Sequence, residues 1–108
     1  MTAQAEHVFL TLPAEEREVI ISHGTALRLS DLKQRRFLAM NKIRQFEEKY
    51  NTTLAQLERA GLPDDAAYEM HEEYIMWRHW TDVSEDVSET IGFLETIVQQ
   101  GLFQRHIG

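Results

Sequence analysis

"LSDLKQRRFLAMNKIRQFEEKY" occupies Leu29–Tyr50, and its spacing decides the fold. Leu29, Leu32, Arg36, Ala39, Ile43, Phe46 and Tyr50 recur at alternating steps of three and four. That is the heptad seam of a helix packed lengthwise against another. Arg36 is its charged member, with a stem that can lie along apolar surface while the guanidinium reaches water. Phe37 and Leu38 fall off the seam, so the middle of this helix is apolar over more than one face.

Downstream, "NTT" at 51–53 ends the helix, and Thr52 or Thr53 can cap the next one. "TLAQLERAG" reads as a short helix with Leu54 and Leu57 inward and Gly61 just past its end. Leu62 and Pro63 form a corner, after which Asp64 is expected to cap a long helix and Asp65 to favour its positive end. Met76, Trp80, Val83, Val87, Ile91, Leu94 and Val98 form an apolar stripe on that helix, within about 80° of arc. An unbroken helix from Asp65 to about residue 100 follows from the stripe. Asp82 with Glu85 also matches a capping box, which leaves a restart near Asp82 open.

Upstream, "LPAEEREVIISHG" opens a helix well, with Pro13 in the first turn and Glu15 and Glu16 at its positive end. Residues 17–22 contain "VII" and suit a short strand as well as a helix. Gly24 before Thr25 marks a break or kink. Residues 1–11 are expected to form a flexible lead, and 101–108 a frayed end. The reading is one all-α domain over 1–108: an elongated hairpin or small bundle, two long helices joined by a short one. One seam buries too little apolar surface to offset the conformational entropy of ordering such a chain. Either the N-terminal segment or a second copy must cover the rest. A homodimer is expected, with Phe37, Leu38 and Ile75 as its contacts.

Composition narrows the function. The 108 residues are 43% hydrophobic and 27% charged, the balance of a folded chain. There is no cysteine, so no disulfide framework and no cysteine zinc site. The opening "MTAQAEHVFLTLPAEE" lacks the basic and long apolar segments of a signal peptide, and no apolar run reaches membrane-spanning length. A cytoplasmic location is expected. The net charge of −7 is unevenly spread. Residues 28–49 hold seven Lys/Arg and three Asp/Glu; residues 58–95 hold eleven Asp/Glu and only Arg59 and Arg78. Either the two segments lie side by side and neutralise each other, or the basic one serves a DNA-binding repressor.

No catalytic constellation is present. His7, His23, His71, His79 and His106 show neither HExxH nor Glu-x-x-His spacing, so no metal site is expected. GxSxG, the P-loop and GxGxxG are absent. "DVSEDVSET" lies mainly opposite the stripe, as a solvated face does. The expectation is a protein without enzymatic activity, cofactor or metal. Aromatic residues are the exception to this blandness. Met70, Tyr74, Met76, Trp77 and Trp80 spread over about 160° of arc, while Tyr68 and Ile75 point the other way. They are either the two-sided core of a bundle or a surface for another protein, since Trp, Tyr and Met are enriched at interfaces. On the second reading Tyr68, Tyr74, Ile75, Trp77 and Trp80 bind the partner.

Residues 41–80, "NKIRQFEEKYNTTLAQLERAGLPDDAAYEMHEEYIMWRHW", resemble a group of small bacterial antitoxin-like proteins. The matching features are Phe46-Glu47-Glu48-Lys49-Tyr50, Thr53 with Leu54 and Leu57, the acidic corner Asp64-Asp65, and Tyr74 with Trp77. That pattern often has an acidic residue before the Trp, where this chain has Met76. The resemblance implies a non-catalytic protein that holds a toxin, encoded beside it, inactive. The alternative is a helical oligomer with a structural or adaptor role.

Overall fold

A computed structural model describes residues 3–99. The fold is all-α, with no strand among the described residues. Four helices follow in order: α1 (Ala3–Thr11), α2 (Ala14–Tyr50), α3 (Leu54–Ala60) and α4 (Tyr68–Ile97). The two long helices are joined by the short one, as the spacing predicts. The chain divides into two compact units. One is Leu32–Thr90; the described part of the other is 3–31 with 91–99.

In the unit Leu32–Thr90, α2 and α4 pack antiparallel. Phe46 and Tyr50 both stack on Trp77, at 5.7 and 6.1 Å between ring centroids. The Tyr50 hydroxyl donates to Glu73, one turn nearer the start of α4. Every seam position from Leu32 to Tyr50 is buried or half-buried, Arg36 included. Leu54 and Leu57 of α3 close over Trp77, and Ile43, Phe46, Tyr50, Leu62, Met70 and Tyr74 pack around this cluster. α3 can be so short because both its ends are secured. Thr53 accepts from the Gln56 backbone while the Gln56 side chain accepts from the Thr53 backbone, a complete capping box. At the other end the Gly61 N–H donates to Leu57, with Gly61 at φ 79°, where a side chain would be strained.

Several expectations differ from the structure. Ala3–Thr11 is helical where a lead was expected. The helix ends at Thr11, two residues before Pro13, and Arg17 reaches back to donate to the Leu10 carbonyl, satisfying one of its unpaired terminal acceptors. Residues 17–22 are helix, not strand, and Gly24 neither breaks nor ends α2. An interior glycine costs roughly 1 kcal/mol against alanine, too little to end a helix with regular turns on both sides. α4 begins at Tyr68 rather than Asp65. Asp64 and Asp65 lie in a turn closed by Ala66 N–H to Pro63, and the first acceptor of α4 is the Ala67 carbonyl. α4 then runs without a restart at Asp82. The expected frayed end at 101–108 lies outside the described residues.

The largest revision concerns the stripe on α4. Trp77 is wholly buried and Met76 is exposed, one residue out of line with the expected set. Farther along, Val87 and Ile91 are buried and Trp80, Val83, Leu94 and Val98 half-buried, as the stripe requires. Near Trp77 the core also includes Met70 and Tyr74, because α3 packs there. A helix covered from two sides buries a wider arc, and its centre moves toward the added neighbour.

Candidate functional site

The expected binding residues all lie on α4, which meets α3 at a corner of the unit Leu32–Thr90. Its frame is ionic. Arg78 of α4 donates from one nitrogen to both carboxylate oxygens of Glu58 on α3, at 2.9 Å each, and its Nε lies 3.5 Å from Asp82. Glu58 beside it holds the Arg78 guanidinium above its ordinary pKa. At the α2–α4 contact, Lys49 pairs with Glu69 and Glu73. These carboxylates push the lysine up, and Lys49 in turn holds the Glu73 carboxyl below the usual range. Burial, with Glu73 second, raises the Tyr50 phenol. Lys49 thus joins the basic segment to the acidic one. Arg35, Arg36, Lys42 and Arg44 have no ion-pair partner among the described residues.

An open cavity of about 200 Å³ lies at this corner, lined by Leu57, Glu58, Gly61, Leu62 and Tyr74. Two features of local sequence shape it. Gly61 ends α3 at a positive φ with an extended ψ and has no side chain to fill the space; a Cβ there would meet nothing within 4 Å. Tyr74 reaches the cavity from α4 one turn before Trp77, whose burial sets the rotation of the helix.

The expected binding residues do not form one surface. Trp77 is fully buried, so its side chain cannot meet a partner while the fold is intact. Its Nε1 is buried with no hydrogen-bond partner among the described residues. Tyr74 is half-buried and lines the cavity. Trp80 is half-buried beside His79, which meets its ring edge-on. Tyr68 and Ile75 are 79% and 60% exposed and lie two turns apart on the outward face of α4. Glu72 raises the Tyr68 phenol. Of the expected oligomer contacts, Phe37 is 69% exposed, and Leu38 and Ile75 are exposed too. Sequence reading missed Leu57, Glu58 and Leu62 as cavity residues; the signal available was the Gly61 helix end next to Leu62-Pro63.

Among the described residues no three His, Cys, Asp or Glu side chains converge as metal ligands would, and no helix is long and apolar enough to cross a membrane. No protein-family profile, no curated protein and no solved structure matches the chain.

Proposed function

We propose that this chain is a non-catalytic, cytoplasmic protein-interaction module that docks a separately encoded protein on the outward face of α4 and the adjoining α3–α4 corner. One observation carries the reading. Tyr68 and Ile75 remain largely in water on one helix face, although the core beneath is already closed by Trp77, Leu54 and Leu57. Large apolar side chains uncovered by a completed core are what a docking face supplies. The acids of α4 add a field that speeds encounter with a basic partner. The antitoxin resemblance names the class of partner, a toxin encoded beside this gene.

The experiment expresses the neighbouring small open reading frame alone, with this protein, and with its Tyr68→Ala/Ile75→Ala variant. Toxicity relieved by the wild type, and a co-purified complex lost in the variant, are expected. A harmless neighbour, or no complex, removes the toxin reading. A complex that forms equally well with the variant moves the docking face elsewhere. Trp77→Ala is unsuitable here, because it would disrupt the core rather than the surface.

A second reading, a structural or adaptor homodimer, is favoured by the exposure of Phe37 and Leu38 on α2. Light scattering after size exclusion decides it: a stable monomer at micromolar concentration excludes it.

A further inference from the structure

We infer that the cavity at the α3–α4 corner is a receptor for a single arginine side chain of a partner protein. This deepens the docking proposal above and rests on it for the existence of a partner. The size of the cavity sets the first limit: at about 200 Å³ it takes one long side chain, not a helix or a small-molecule cofactor. Its walls set the second. Leu57 and Leu62 offer aliphatic surface, and Tyr74 an aromatic one. An arginine stem packs on the former, and a guanidinium is drawn to the latter.

Charge decides between arginine and an apolar side chain. Glu58 lines the cavity, and its carboxylate is held in place by Arg78, which uses a single nitrogen on it. A carboxylate has about four lone-pair sites, so two oxygens bound by one nitrogen retain acceptor capacity. Asp64 and Asp65, two and three residues beyond the cavity residue Leu62, have no ion-pair partner among the described residues. Against these three acids stand two bases, Arg59 and the Arg78 that pairs with Glu58, so the surplus is one negative charge. The corner is therefore net negative, with an apolar slot at its centre. A planar cation on a long aliphatic stem meets both conditions; lysine meets the charge but not the paired hydrogen-bond geometry.

The test titrates the full chain with N-acetyl-arginine methylamide, followed by amide and aromatic NMR shifts. The norleucine and glutamate analogues serve as controls. Arginine is expected to shift Gly61, Leu62 and Tyr74 saturably, at least about fivefold more tightly than norleucine, with no shift at this corner from glutamate. Glu58→Gln should reduce arginine binding to the norleucine level. Because that variant also releases Arg78, Tyr74→Leu is the second. It keeps the ion pair and should weaken arginine at least about threefold while norleucine binding is kept, with helicity checked first because Tyr74 packs on the Trp77 cluster. Shifts spread over the surface, equal binding of norleucine, or arginine binding unaffected by both variants would overturn the inference. Arginine binding without a complex with the neighbouring protein would sink the toxin reading and leave this one standing. A complex undisturbed by both variants, with no arginine binding, would do the reverse.

Discussion

The unit Leu32–Thr90 and the unit formed by 3–31 and 91–99 are built from the same two long helices, yet they manage apolar surface differently. Each has a third element, α3 in the first and α1 in the second, but α1 has no buried residue, whereas the first unit closes on a tryptophan: Leu32, Ala39, Leu54, Leu57, Trp77 and Val87 are buried in it. In the second, the buried residues among those described are Thr25 and Ile91, while Val8, Leu10, Val19, Ile20, Leu27 and Phe93 are exposed. A capped helix of seven residues makes the difference on the first side, because two leucines on it are enough to cover one indole. The comparison teaches that neither apolar content nor the presence of a third helix sets burial; a third helix that turns its leucines onto the core does.

The most severe way to break the contrast is at Trp77. Trp77→Ala should destabilise the protein by about 3–5 kcal/mol, measured by urea unfolding, because a large buried ring is lost between two stacked aromatics. Trp77→Phe should cost about 2 kcal/mol less than that, since it keeps most of the stack and removes an indole N–H that has no partner. Equal losses would mean that the N–H is hydrogen-bonded in solution.

A smaller effect tests why α3 forms at all. Thr53→Ala removes the capping box and should cost about 1 kcal/mol, with faster hydrogen exchange confined to α3 and the Trp77 cluster. No change would assign the stability of α3 to packing alone.

The other unit supplies the opposite sign. Gly24→Ala should stabilise by about 0.5–1 kcal/mol, since Gly24 lies within α2 and an added Cβ meets nothing within 4 Å. Leu27, 70% exposed, sharpens the comparison further. Leu27→Gln should change stability by less than about 0.5 kcal/mol if that face is solvated. A larger loss that depends on protein concentration would show that a second copy covers it.

The weakest effect is electrostatic. Lys49 first, with Tyr50 also contributing, holds the Glu73 carboxyl below its ordinary pKa in the folded chain. Folding therefore favours the ionised form. That stabilisation is fully present above the unfolded pKa and is lost as pH falls through the lowered folded value. Unfolding midpoints of wild type and Glu73→Gln, compared from about pH 7 to about pH 3, should differ at neutral pH and converge in acid. A constant difference would mean the pair is screened. Lys49 and Glu69 are well exposed, so the gap should be small.

Much of this was legible in the residues themselves. The seam from Leu29 to Tyr50, a threonine cap at 52 or 53 and the Gly61 helix end follow from local rules of spacing and hydrogen bonding, which act within a few turns of chain, whereas the Asp82–Glu85 capping box leaves the continuity of α4 open. The expected site was legible only in part. Tyr68, Ile75, Phe37 and Leu38 lie in water, whereas Trp77, chosen as a binding residue, is the centre of the core. Periodicity cannot separate Met76 from Trp77, because adjacent helical residues differ by about 100° and a broad aromatic arc admits either one. Docking of α3 made the choice, by setting Leu54 and Leu57 against the indole. The cavity beside Tyr74 follows from the same event: its walls come from α3, the corner after it and α4, segments that no local pattern brings together. Helix content was determined by neighbours in sequence; which faces those helices bury was decided by neighbours in space, because burial depends on what covers a face and not on the face itself.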